Sequence, residues 1–153
     1  MRTTTRLFHA ISYLQYPLML VGLYFAVRAG MAAPRMKGEG SAMVLAAANH
    51  ALVFAGLAIS FSTLQDTSTT QNEFSRKIWQ SPRKGLVTLW GIALSTAAML
   101  LVGLYGFFAS TGALQELATG LMMLGLGYVG LLKSAVEMFE NHRSDKRQVT
   151  SSR

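Results

Sequence analysis

Apolar residues in this chain come in long blocks separated by short clusters of charge. Counting between charges, Leu7 to Val27 gives about 21 residues, Gly40 to Gln65 about 26, Gly85 to Gln115 about 31 and Leu117 to Leu132 about 16. A helix that crosses a bilayer needs about 20 such residues, within a range of 17 to 25. Three blocks qualify outright, and the fourth does so if Glu116 and Lys133 lie at the membrane edges. A soluble bundle would need a polar face on each helix, and none of the four blocks has one. The pattern predicts an all-α membrane protein: four transmembrane helices in a bundle, one domain over residues 1–140 and a polar tail over 141–153.

Within the blocks, smaller patterns predict how the spans meet. Span 1 carries Pro17, which removes a backbone donor and predicts a bend. Ala29 to Gly40 is rich in glycine and proline and reads as a loop. In span 2, Asn49, Gly56, Ser60, Thr63 and Thr67 fall on one stripe, and Ala47, Ala51 and Ala55 on another. In span 4, Glu116, Gly120, Gly127, Gly130, Ser134 and Glu137 share a face, whereas Gly125 lies off it. Rows of small residues let helix backbones approach closely, and hydroxyls or amides bond across the contact. Asn49, His50, Gly56, Ser60, Glu116, Gly120, Gly127, Gly130 and Lys133 are therefore the candidates for helix contact or for lining a pore. Lys133 is also one turn from Glu137 and is expected to pair with it.

Between spans 2 and 3, Phe74, Ile78 and Trp79 sit among Arg76, Lys77, Arg83 and Lys84. That mixture predicts either a cytoplasmic extension of span 2 or a short amphipathic helix on the headgroups, where Trp is at home. The same residues are candidates for docking a partner. Ser81-Pro82 reads as an N-cap and first helical position opening span 3, and residues 110–113 as a tight turn into span 4.

Charge then fixes an expected orientation. The chain is 14% charged, against roughly 25% in soluble domains, and its formal net charge is +7. With an even number of spans, eleven of the fourteen Lys and Arg residues fall beside the termini and the middle connection. Cytoplasmic loops carry the Lys/Arg excess, so the termini are expected inside, in the inner membrane of a bacterium. These cations are topology signals and attractors of anionic headgroups rather than a nucleic-acid surface. The first block exceeds the 7–15 residues of a signal peptide's apolar region and ends in Arg28, so it reads as a retained span.

Chemistry adds little to this picture. The chain has no cysteine, which removes thiolate metal sites and iron–sulfur clusters. His9 and His50 would lie at different depths, so they are not expected to share a haem. His50 reads as a buried, hydrogen-bonded side chain. Proton-coupled transport calls for an ionisable group inside the membrane, and span 1 has no acid. No serine has a histidine and a carboxylate at its depth. The chain is expected to have no catalytic centre, no cofactor and no metal. It is expected to act by self-assembly, with a channel or pore as the sharper form of that expectation. The alternative is an accessory or scaffold subunit that grips partner helices in a larger membrane complex.

Overall fold

A computed structural model describes residues 7–8, 10–35, 40–64 and 73–142, with side chains described for 7–8, 10–34, 41–64 and 77–142. Among the described residues five principal helices follow one another: α1 (Gln15–Ala32), α2 (Gly40–Ser62), α3 (Glu73–Gln80), α4 (Pro82–Ala109) and α5 (Ala113–His142). No strand occurs among the described residues. Four of the helices are long and apolar enough to cross a membrane, the first running over Ala10–Ala32 when the preceding helical turn is included.

Pro17 does not break α1; it opens it. The chain turns at Tyr13 and Leu14, whose amides bond three residues back to Ala10 O and Ile11 O at 3.3 and 3.0 Å. Pro17 then occupies the first turn of α1, where an amide proton has no intrahelical acceptor to lose. At its other end α1 continues through Arg28 to Ala32 and closes in a 3-10 turn over Ala33–Arg35. The loop expected from Ala29 therefore begins later. Ala29, Met31 and Ala32 are good helix formers, and the Ala33 amide still bonds Ala29 O.

The expected extension of span 2 is also corrected. α2 ends at Ser62, where the Ser62 and Thr63 hydroxyls bond Ile59 O and Ser60 O, each at 2.7 Å, and Leu64 N bonds Phe61 O. Hydroxyls that satisfy the last carbonyls of a helix compete with its next turn. The separate helix α3 corresponds to the amphipathic alternative. Thr67 and the rest of 65–72 lie outside the described residues.

α4 and α5 are joined by Ser110–Gly112. Gly112 adopts φ +62°, a left-handed conformation open to glycine at no steric cost. Gln115 Nε2 bridges this turn to Phe107 O at 3.1 Å. α5 reaches His142, two residues into the expected tail, and includes both charges that made its apolar core look short. Lys133 pairs with Glu137 at 3.3 Å, as their spacing predicts.

The spans are neighbours in the order α1, α2, α5, α4, with α3 lying against α4 and α5. Contacts set the directions. Gly22 faces Ala51 and Ala55 while Phe25 faces His50, so α1 and α2 run antiparallel. Gly103 faces Met122 while Gly85 faces Phe139, so α4 and α5 do too. α2 and α5 run parallel, because Asn49, Gly56 and Thr63 meet Gly120, Gly127 and Ser134 in the same sense. The start of α1 and the end of α5 therefore share one end of the molecule. A packed cluster of Trp79, Ala135 and Phe139 closes that end, with Ile78, Leu89, Ile92 and Met138 around it.

Candidate functional site

The residues singled out from the sequence converge on the seam between α2 and α5. Its repeat is seven residues. Asn49 lies against Gly120, Gly56 against Gly127 and Thr63 against Ser134, each pair offset by 71 positions. A repeat of seven keeps one seam facing its partner along two parallel helices. The glycines are what permit the approach. A Cβ on Gly56 would stand 2.5 Å from Met123 O, and one on Gly127 would overlap Gly56 O and lie 3.0 Å from Gly56 Cα. Gly130 meets the Thr63 side chain, which a Cβ would approach to 3.1 Å. Without side chains between them, the two backbones gain close dispersion contact along the seam.

Polar groups along the seam are mostly satisfied within their own helix. Ser60 Oγ donates to Gly56 O at 2.9 Å, and Ser134 Oγ reaches across to Thr63 O at a long 3.4 Å. Asn49 is the exception: its Oδ1 is buried with no hydrogen-bond partner among the described residues. The Gly120 hydrogen that a Cβ would replace points at that oxygen, since a Cβ there would overlap Asn49 Oδ1. A Cα–H donor is a weak substitute for an N–H, but it is the one the seam supplies.

The second stripe of α2 is engaged as well. Ala51 and Ala55 receive Gly22 of α1, whose Cβ position lies 3.5 Å from Ala51 O and Ala55 N. Gly125, off the glycine face of α5, serves the other neighbour and packs on Leu100 of α4. Sequence reasoning missed the face of α4 that receives α5, made of Gly85, Thr96 and Gly103, all buried. A seven-residue spacing from Thr96 to Gly103 was its signal.

Other candidates land elsewhere. His50 is exposed rather than buried: it lies beyond the α2–α5 seam and stacks on Phe25 of α1 at 4.8 Å between ring centroids. Its Nδ1 lies 2.7 Å from Ala46 O. That carbonyl can only accept, so Nδ1 donates to it. Trp79 is turned into the protein, 8% exposed. Phe139 draws it in, its ring lying directly on Gly85, a space no larger residue would leave. Glu116, Lys77, Arg83 and Lys84 are exposed, and Ile78 borders the Trp79 cluster. His9 and the side chains of Phe74 and Arg76 lie outside the described residues.

The seam can hold helices together; it offers no reactive constellation. Among the described residues no three His, Cys, Asp or Glu side chains are grouped to hold a metal. Comparison of the chain with protein-family models, with curated proteins and with solved structures finds no match.

Proposed function

We propose that this chain is a self-assembling integral membrane protein, with the channel or pore as the most specific form of that function. The observation that carries the proposal is an uncovered face on α4. Gly91, Ser95 and Ala98, at spacings of four and three, are exposed, and nothing stands within 4 Å of where a Gly91 Cβ would be. The seam residues of α2 and α5 are consumed inside one chain, whereas this small-residue row is free for a helix of another copy. α4 is also at one end of the row of neighbours, so a second copy would close the open row into a bundle.

In this reading the copies meet along α4, with Ser95 as the polar residue of that contact beside the axis of the oligomer, while Asn49 and Ser60 are used within each chain. Both chain ends are cytoplasmic and the membrane is a bacterial inner membrane, as the Lys/Arg distribution favours. The exposed cations Lys77, Arg83 and Lys84 then lie in the cytoplasm. They also support the alternative, an accessory subunit of a larger membrane complex, by offering a basic surface to an acidic partner.

The absence of native cysteine makes the test clean. Ser95→Cys in native membranes is expected to form a disulfide-linked dimer under mild oxidation, and Leu20→Cys, also exposed but on α1, is not. Equal cross-linking of both would mean random collision. Cross-linking of neither would overturn self-assembly and leave the accessory reading.

A further inference from the structure

Between the last half of α1 and the first half of α2 lies a cavity of about 540 Å³, bordered by Phe25, Arg28, Met31, Met43, Ala47 and His50. Its origin is local. At Gly22 the two helices touch, with Ala51 and Ala55 at van der Waals distance. One turn further on, the Phe25 ring reaches α2 and stacks on His50 and Phe54, at 4.8 and 5.9 Å between centroids. Beyond that aromatic spacer, Ala46 and Ala47 are too small to fill the gap. The volume falls within the roughly 300–1,000 Å³ of small-ligand sites.

The chemistry of the lining is selective. Among the described residues that line it, Arg28 is the one cation, 5.9 Å over the Tyr24 ring, and none is an acid. A guanidinium near the hydrocarbon is costly unless an anion meets it, and its planar fork suits a phosphate. The rest of the surface is mostly apolar: a flat Phe25–His50 stack, three alanines and the methionines Met31 and Met43, whose thioethers adapt to an irregular neighbour. Depth matters too. Arg28 is four residues from the end of α1, about 6 Å along the axis, whereas His50 is nine residues into α2 from Ser41, about 13 Å. The cavity therefore has its charged part toward the helix ends and its apolar part deeper, the polarity of a bilayer lipid.

We propose that this cavity binds an anionic phospholipid of the surrounding bilayer, with the phosphate on Arg28 and the start of one acyl chain along the Phe25–His50 face. The leaflet is the one facing the α1–α2 connection, at the end away from the Trp79 cluster. The site is independent of whether the chain self-assembles.

The test is native mass spectrometry of the protein reconstituted in vesicles of equal phosphatidylglycerol and phosphatidylcholine, then gently extracted. The wild type is expected to retain phosphatidylglycerol in preference to phosphatidylcholine. Arg28→Ala should lower that retention about fivefold, the value of one cation close to an anionic surface, and Arg28→Lys should keep part of it. Ala47→Phe, which fills the cavity and leaves the charge, should lower it as much. Arg83→Ala, a cation at the other end of the molecule, should change nothing. Equal retention of both lipids overturns the proposal, as does wild-type retention by folded Arg28→Ala. If Arg28→Ala fails to fold, unchanged retention by Ala47→Phe overturns it alone. Displacement by inorganic phosphate would make the ligand a free anion and would also overturn it.

Discussion

Gly56 and Gly127 stand backbone to backbone: a Cβ on Gly127 would lie 3.0 Å from Gly56 Cα and 3.1 Å from its carbonyl carbon. The obstacle at each position is main chain, which cannot swing aside as a side-chain tip can. Gly127→Ala is therefore expected to cost about 1–3 kcal/mol through overpacking, and Gly56→Ala a similar amount. Gly30→Ala, on a helix position with nothing within 4 Å, is expected to gain up to about 1 kcal/mol of helix propensity. Reversible unfolding in mixed micelles would measure all three. A Gly127→Ala protein as stable as the wild type would mean that α2 and α5 do not approach this closely.

Asn49 and Gly120 should be energetically coupled. Gly120→Ala drives a methyl group into Asn49 Oδ1, but Asn49→Ala removes that oxygen along with its burial penalty. The double variant should be less destabilised than the sum of the singles by at least about 0.5 kcal/mol, read from a double-mutant cycle. Additive effects would remove the contact from the account.

Much of the seam was legible in the sequence, because the geometry of small residues on a helix depends on spacing alone. Asn49, Gly56 and Thr63 repeat every seven residues, as do Gly120, Gly127 and Ser134, so both faces could be read before their partners were known. The assignment of Gly125 to a different face followed from the same count. What spacing cannot reveal is which neighbour a face meets, or what a single large side chain does at the end of a bundle. Trp79 reads as a headgroup residue from its local surroundings, and only the arrival of Phe139, sixty positions later, buries it. His50 reads as buried from its place inside an apolar span, and spacing does not show the gap that Ala46 and Ala47 leave beside it. Helix ends failed for a local reason: Ala29 to Ala32 keep helical hydrogen bonding despite the loop residues that follow.

The Trp79 cluster gives a spectroscopic prediction. The chain has two tryptophans, and Trp90 is 61% exposed on α4. In a Trp90→Phe background, Phe139→Ala should shift Trp79 emission to the red as water reaches the ring. It should also cost on the order of 3 kcal/mol, the lower end for deleting a buried phenyl group. Unchanged emission would place Trp79 outside the cluster.

Lys133 and Glu137 provide a contrast. The Lys133 side chain is 79% exposed and its partner 45%, so solvent screens the pair. Lys133→Ala is expected to change stability by no more than about 0.5 kcal/mol in the same unfolding assay, despite the clear geometry of the ion pair.

Self-assembly through α4 is tested most directly by the native mass of the gently solubilised protein beside that of a Ser95→Leu variant. The proposal predicts a defined homo-oligomer for the wild type and a smaller particle for Ser95→Leu, with helix content unchanged. A wild-type particle holding one copy of this chain, alone or with unrelated subunits, would contradict it.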